Sequence, residues 1–207
     1  MSLQAMAVDF PQVHGHPNRL PFEGVLTLVD VASDRAPSGA RGHRVILTRA
    51  AAEAALPSLL GMAVDYKTGW DGHDARQKCG IITTAELDGR KLRVAGFIFA
   101  KDFPEIEQQM HSEAANLPGE SRYVTQTGTT SLTAASTCLM GMSYELADAH
   151  VADMRAQVWT LTRATFTGAA ILRRDKAAYQ DTSFQVQART SHKARVPHSC
   201  ATRMNGM

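Results

Sequence analysis

The sequence predicts a β-rich α+β domain whose sheet forms a small closed or nearly closed β-barrel with a few helices around it. Three observations lead to this prediction. Most apolar segments are short and rich in β-branched or aromatic residues, which is typical of strands. Only two segments carry a helix-capping residue ahead of a helical pattern. An Asp-Gly turn joins two of the apolar segments, which indicates an antiparallel hairpin, and closing such a sheet would remove its edge strands.

The first half of the chain mixes predicted strands with a helix. Residues 22–31, FEGVLTLVDV, have the composition of a strand, and residues 33–42 form a loop rich in proline and glycine. Thr48 can accept a hydrogen bond from a free backbone N–H, so it predicts the start of a short helix, RAAAEAALPSLL. Residues 80–87 and 91–100 are predicted to form a hairpin, because Asp-Gly-Arg separates them and such turns need residues that tolerate positive φ.

The second half begins with a helix and continues with strands. Asp102 is a good capping residue with a proline two positions later, so a helix is predicted from there to about residue 115. Residues 117–137 are rich in Gly, Ser and Thr and are predicted to be a flexible loop. Residues 138–146 and 156–171 are predicted strands.

The domain organisation follows from where these patterns begin and end. Residues 1–20 contain two prolines and little periodicity, which indicates a flexible N-terminal arm. Residues 21–181 form the predicted single domain. Residues 182–207 carry basic residues and no acidic ones, so they are predicted to be a disordered tail.

Composition excludes several classes of protein. The net charge is only +2, so no strong field favours nucleic acid or a membrane surface. No apolar run is long enough to span a bilayer, and a secretory signal is not evident. The three cysteines are scattered, which favours a reducing compartment and argues against a structural metal site.

Three features could carry chemistry. His73 lies in a polar turn, GWDGHDARQKCGII, and imidazole can move protons near neutral pH. Ser143 lies in an apolar strand, CLMGMSYEL, where Gly141 leaves room beside it, and a histidine could activate its hydroxyl. Arg173 and Arg174 follow an apolar strand and could stabilise an oxyanion. Taken alone, each feature more often has a structural role: a surface histidine, a strand serine bonded to backbone, or a solvated strand end.

The order and spacing of these features resemble those of the capsid maturation proteases of tailed phages, the prohead proteases, and of their distant relatives, the herpesvirus assemblins. The similarity covers about residues 21–179. It includes a first strand LPFEGVLTLVD, a histidine segment GHDARQKCGIIT, a hairpin AELDGRKLRVAGFIF, a G-x-S motif written GMS, and a strand VWTLTRATFTGAA. The separation of His73 and Ser143 along the chain is close to that of the assemblin histidine–serine pair.

The resemblance implies an assemblin-like fold and a serine endopeptidase that cleaves scaffold and major capsid proteins. Ser143 would be the nucleophile, His73 the general base, and Arg173 and Arg174 would contribute to oxyanion stabilisation. The implied location is the host bacterial cytoplasm, inside the assembling prohead. A homodimer is compatible with the family, whereas no metal, organic cofactor, nucleic acid or membrane partner is implied.

The third catalytic residue departs from the family pattern. Phage members usually carry a glutamate on the strand after the nucleophile, and assemblins use a second histidine. Aligned on the tryptophan of VWTLTRATF, this chain has Thr160 at that position, while Thr162 and His150 are alternatives. A threonine can orient an imidazole ring but cannot stabilise its charged form, so activity would be impaired.

Two other interpretations compete with an active protease. The absence of a charged third residue fits a catalytically impaired protein that keeps the protease fold for a structural role in capsid assembly. The short motifs also fit an unrelated β-rich domain in which His, Ser and Arg agree by chance.

Overall fold

The computed structural model describes residues 5–11, 13, 15–115 and 139–187. These residues form nine strands and two α-helices. The strands are β1 (Ala5–Ala7), β2 (Leu20–Leu28), β3 (Arg44–Leu47), β4 (Ala63–Tyr66), β5 (Lys78–Asp88), β6 (Lys91–Ile98), β7 (Met140–Val151), β8 (Val158–Arg173) and β9 (Ser183–Val186). The helices are α1 (Arg49–Ala55), which continues into a 3-10 turn (Leu56–Leu59), and α2 (Pro104–Ala115).

All nine strands belong to one mixed sheet that is not closed into a barrel. The strand order is β3-β8-β4-β5-β6-β2-β9, with β1 paired to β5 and β7 paired to β8. β7 packs against β2 and β9, but within the described residues no backbone ladder joins them. Side chains fill this seam instead, with the Met142 sulfur beside Gly24 and the Thr182 hydroxyl beside Gly141. The α+β class is therefore confirmed, whereas closure of the barrel is not.

The two faces of the sheet have different surroundings. Val64 of β4 and both Ala169 and Ile171 of β8 point into the main hydrophobic core. Ala170 and Leu172, which alternate with them along β8, point to the opposite face, because successive side chains of a strand lie on opposite sides. This second face is the one that carries the candidate site.

The Thr48 cap and the Asp-Gly turn are confirmed, and the second helix forms without the predicted cap. Thr48 caps α1, since its side-chain oxygen accepts a hydrogen bond of 3.2 Å from the backbone N–H of Ala51. β5 and β6 form the predicted hairpin, and Gly89 in its turn has a φ of 57°, which a glycine adopts without strain. The second helix is α2, and Pro104 is its first residue, but Asp102 does not cap it: Phe103 precedes the helix, and the Asp102 carboxylate accepts a hydrogen bond of 2.6 Å from the Asn18 side-chain amide.

The structure differs from the prediction at both ends of the domain. β1 lies within the predicted arm at 1–20 and pairs with β5, and β9 lies within the predicted tail at 182–207 and pairs with β2. Phe184 of β9 is fully buried against Phe22, with ring centroids 5.3 Å apart. The basic composition of the tail concealed this strand, because a single aromatic anchor and a distant partner strand stabilise it.

The last long strands extend beyond their predicted bounds. The predicted strand at 138–146 corresponds to β7, which continues to Val151, and that at 156–171 corresponds to β8. The pairing of β7 with β8 along almost their whole lengths explains the extension. The loop predicted at 117–137 lies outside the described residues.

Candidate active site

An open cleft of about 1100 Å³ runs along β7 and β8. The loop at 35–41 and the turn at 71–73 form other parts of its lining. His73 and Ser143 both line this cleft, although they are far apart in the sequence. The structure therefore brings the predicted base and the predicted nucleophile to one cavity.

The register of three neighbouring strands aligns Ser143 with an acidic residue. Ser143 of β7 pairs with Ala170 of β8, and Ala170 pairs with Asp65 of β4. Directly opposed residues point to the same face of a sheet, so these three side chains form a row. With strands about 4.8 Å apart, the outer two Cα atoms are separated by about 10 Å. Only the methyl group of Ala170 lies in the row between the carboxylate and the hydroxyl.

The loop that carries His73 is held against the sheet by Trp70. Its indole ring stacks on Tyr66 of β4, with centroids 4.9 Å apart. The Trp70 carbonyl accepts a hydrogen bond of 2.9 Å from the backbone N–H of Arg173, and the backbone N–H of Trp70 donates one of 2.8 Å to the Lys67 carbonyl. Trp70 has a φ of 58°, which is unfavourable for a bulky residue and persists because these contacts fix it. The loop is thereby folded back over the face that carries Asp65.

His73 contacts Asp65 directly. His73 Nδ1 lies 3.3 Å from Asp65 Oδ1, and the two side chains are 18% and 1% exposed. The distance permits a hydrogen bond but the alignment is poor, so within the described residues these two atoms and His73 Nε2 are buried without a well-aligned partner. Catalytic hydrogen bonds are often loose before substrate binds, and an unpaired ring nitrogen is available to take a proton.

Asp65 is ionised in spite of its burial. Lys78 of β5 donates a hydrogen bond of 2.7 Å to its second oxygen, Oδ2. Burial raises the pKa of the carboxyl, but the contacts with His73 and Lys78 outweigh burial, so the pKa lies below the ordinary value of 3.8. A buried carboxylate beside Nδ1 can hold one tautomer of the ring and stabilise its protonated form.

Ser143 is a half-buried residue whose side chain makes no hydrogen bond within the described residues. The space beside Gly141, two positions earlier, is not open to a ligand. A Cβ atom there would lie 2.5 Å from the Thr182 hydroxyl and 3.0 Å from Arg174 Cγ. Gly141 therefore permits close packing of β7 against the segment before β9, which differs from the role expected for it in substrate binding.

The structure does not place Thr160 beside His73. Thr160 lies on β8 where that strand pairs with Ile46 of β3, ten positions before Ala170, or roughly 33 Å along an extended strand. The two alternatives contact each other instead: the His150 ring lies 2.8 Å from the Thr162 hydroxyl in the far half of the β7–β8 pair. Within the described residues, the carboxylate that contacts His73 belongs to Asp65.

Arg173 and Arg174 have other partners. The Arg173 guanidinium makes two hydrogen bonds of 2.9 Å to the Asp175 carboxylate, and both side chains are about half exposed. Arg174 Nε donates to the Gln180 carbonyl at 2.8 Å, and Arg174 lines a separate cavity of about 300 Å³. Neither residue belongs to the described lining of the cleft. Their contribution to an oxyanion site stays a prediction, and it requires a change of partners.

Sequence reasoning missed Asp65, although a signal for it exists. The segment AVDY places one acidic residue in a short apolar strand, and a buried carboxylate needs a partner. β8, which joins its strand to that of Ser143, is distant in sequence, however, so the pattern alone does not reveal that Ser143 shares its face. Within the described residues, no cluster of three or more potential ligand side chains could hold a metal ion. In the same part of the chain, the helices are too short or too polar to cross a bilayer.

Comparisons with known proteins give a similarity to solved structures but no match at the level of sequence. No protein-family model and no curated protein sequence matches the chain. The fold is similar to a crystal structure of the KSHV protease in complex with a hexapeptide phosphonate inhibitor, with a TM-score of 0.39 and 10% sequence identity. The match covers 81% of this chain and 65% of that chain, so it spans slightly less than two thirds of the viral protein.

Proposed function

We propose that the protein is a serine endopeptidase in which Ser143 is the nucleophile, His73 the general base and Asp65 the residue that orients His73. One observation carries the proposal: a buried, ionised carboxylate contacts the ring of His73 in the same row of side chains as Ser143. Asp65 takes the role that the sequence led us to expect of Thr160. With a charged third residue available, the main reason to expect an impaired enzyme is removed.

The reaction uses the two nitrogens of His73 differently. Ser143 Oγ attacks the carbonyl carbon of the scissile bond while its proton moves to His73 Nε2. Asp65 accepts from Nδ1 and stabilises the imidazolium that forms. The proton then passes to the leaving amine and the C–N bond breaks, which leaves an acyl group on Ser143. Water attacks this ester, His73 takes its proton, and the proton returns to Ser143 as the carboxylic acid leaves.

The shape of the cleft suits an extended chain. Its lining continues along β7 from Ser143 to Val151, which pairs with Leu161 of β8. Eight strand positions correspond to about 26 Å, which is room for several residues of an extended peptide. On this basis a polypeptide is favoured over a small ester as the substrate.

The biological substrate is proposed from the sequence resemblance alone. The resemblance of the GHDARQKCGIIT and GMS segments to prohead proteases suggests scaffold and major capsid proteins as substrates. Cleavage would then occur inside an assembling prohead in the bacterial cytoplasm, and the enzyme could act as a homodimer.

Covalent labelling of the full chain with a fluorophosphonate probe tests the chemistry. We expect stoichiometric labelling of the wild type, none of Ser143→Ala, and full labelling of Ser112→Ala, which alters an exposed serine of α2. His73→Ala and Asp65→Asn should label more slowly by roughly 10³-fold to 10⁴-fold. Thr160→Val, Thr162→Val and His150→Gln should label at the wild-type rate.

Mass spectrometry of a peptide library then separates a peptidase from other serine hydrolases. New peptide termini should appear with the wild type and not with Ser143→Ala. A folded wild type that neither labels nor cleaves would contradict the proposal and favour the non-catalytic role in assembly. Labelling that depends on Thr160 but not on Asp65 would instead support the third residue predicted from the sequence.

A further inference from the structure

Lys78 reaches the buried carboxylate of Asp65 because the β4–β5 ladder contains an irregularity. Val64 pairs with Gly80, but the next residue, Asp65, pairs with Lys78, and Cys79 is left as an extra residue. In a regular ladder Asp65 would oppose Cys79, and Lys78 would lie one position further along, on the side of the main core. A β-bulge of this kind redirects a side chain, and here it places Lys78 on the face of the candidate site.

The two oxygens of Asp65 have separate partners. Oδ2 accepts from the Lys78 ammonium at 2.7 Å, and Oδ1 lies 3.3 Å from His73 Nδ1. The Lys78 side chain is 41% exposed, whereas that of Asp65 is 1% exposed. Lys78 therefore stays partly hydrated while it compensates a charge that water cannot reach. A carboxylate held through one oxygen cannot rotate freely, so the direction of its other oxygen is fixed as well.

We propose that Lys78 is a positioning residue of this site, which keeps the Asp65 carboxylate ionised and turned so that Oδ1 faces His73. This inference rests on the proposed function and adds to it a residue that does not touch the substrate. The bulge at Cys79 is the structural device that makes the arrangement possible.

The surroundings of Asp65 make the contribution of Lys78 measurable. The charged or titratable groups that face the carboxylate are the His73 ring from the preceding loop and the Lys78 ammonium from β5. The nearby Cys79 thiol is neutral at ordinary pH, because burial raises its pKa to about 12. Its direct partner on β8 is Ala170, whose methyl group carries no charge. Burial raises the pKa of Asp65, and both His73 and Lys78 lower it. If the Lys78 ammonium is removed, His73 alone counteracts burial, so the pKa of Asp65 rises.

The sign of the expected pH effect follows from this change. Asp65 supports His73 only when it is ionised, and its pKa is lowered in the folded protein, so its support is lost as the pH falls. A higher Asp65 pKa moves that loss to higher pH. The acid limb of the rate profile should therefore shift upward when the charge of Lys78 is removed.

The experiment measures the fluorophosphonate labelling rate of full-length variants from about pH 3 to about pH 9, a range that spans the ordinary pKa values of carboxyl and imidazole groups. Lys78→Met keeps the length of the side chain without its charge, and we expect labelling at neutral pH about tenfold slower, with the acid limb at higher pH. Lys78→Arg should restore most of the rate and the profile. Lys91→Met, which alters an exposed lysine of β6, is the matched control and should behave as the wild type.

A second comparison separates positioning from a general structural effect. In the Asp65→Asn background, Lys78→Met should cause no further loss, because Lys78 acts only through the carboxylate. Equal losses in both backgrounds, or an unchanged pH profile in Lys78→Met, would overturn the inference. If Lys78→Met does not fold, Lys78→Gln and Lys78→Arg provide the same comparison, and folding is checked by circular dichroism.

The outcome also distinguishes this inference from the proposed function. A wild type that does not label at Ser143 contradicts the peptidase itself. A wild type that labels at Ser143, with Lys78→Met labelling at the same rate and the same pH dependence, contradicts only the positioning role of Lys78.

Discussion

At the residue scale, the size of one side chain decides whether the site can form. Ala170 is fully buried and lies between Asp65 and Ser143 in the row across β4, β8 and β7. The imidazole ring must occupy the space above this residue to reach both neighbours. A methyl group leaves that space open, whereas a branched side chain would fill it.

Ala170→Val should therefore reduce labelling of Ser143 by about tenfold or more, because the added methyl groups displace the ring of His73. Over-packing should also lower the free energy of unfolding by about 1–3 kcal/mol. Ala170→Ser, which is nearly isosteric, is the control and should keep most of the rate. Labelling rates together with urea denaturation separate the two effects. A wild-type labelling rate in Ala170→Val would show that the ring does not lie over this position.

At the scale of the element, the loop at 67–77 depends on Trp70. Its stacking on Tyr66 and its hydrogen bond from the Arg173 backbone hold the loop in a conformation that the positive φ of Trp70 disfavours. Tyr66 is itself fixed, because its hydroxyl donates a hydrogen bond to the Glu105 carboxylate of α2. Burial raises the pKa of Tyr66, so the hydroxyl keeps the proton that it donates. The contacts from Glu105 of α2 to Tyr66, and from Tyr66 to Trp70, thus support the position of His73.

Trp70→Ala should loosen this loop, with two measurable results. Labelling of Ser143 should fall by about tenfold, because His73 is no longer held beside Asp65. Trypsin should cut faster at Lys67 and Arg76, which flank the turn, because local opening exposes the backbone. Trp70→Phe retains an aromatic ring for stacking and should resemble the wild type in both measurements. Faster labelling, or unchanged proteolysis in Trp70→Ala, would contradict the anchoring role.

The same scale shows which features the sequence could predict. Thr48 and the Asp-Gly turn at Gly89 were predicted correctly, because their hydrogen bonds and backbone angles are set by near neighbours. β3 and β4 were not predicted, since each has four residues and pairs in parallel with distant β8. Asp65 was missed for the same reason. Its place in the candidate site depends on the register of β4, β8 and β7, which come from different parts of the chain.

At the scale of the whole molecule, the last described strand, β9, forms one edge of the open sheet. β9 pairs with β2, and β7 packs against both. Phe184 anchors β9 in the core, while Gln185, next to it in the strand, is exposed. β9 therefore stabilises the seam where β7 packs against β2.

Phe184→Ala should lower the free energy of unfolding by about 3–5 kcal/mol, the usual cost of removing a buried aromatic ring. Gln185→Ala is the matched control on the opposite face and should change it by less than about 0.5 kcal/mol. Urea denaturation of both variants checks this. Equal free energies of unfolding for the two variants would show that β9 contributes little to the stability of the fold.

The alternation of side chains along β8 has a practical consequence for protein engineering. Ala169 and Ile171 belong to the main core, while Ala170 and Leu172 belong to the other side. Mutant libraries can be divided by the face to which a position points. Core-facing positions would be screened for thermal tolerance, and positions on the other face for altered selectivity. Improvements found separately in the two sets should combine with little interference, because a continuous layer of backbone insulates one group of positions from the other.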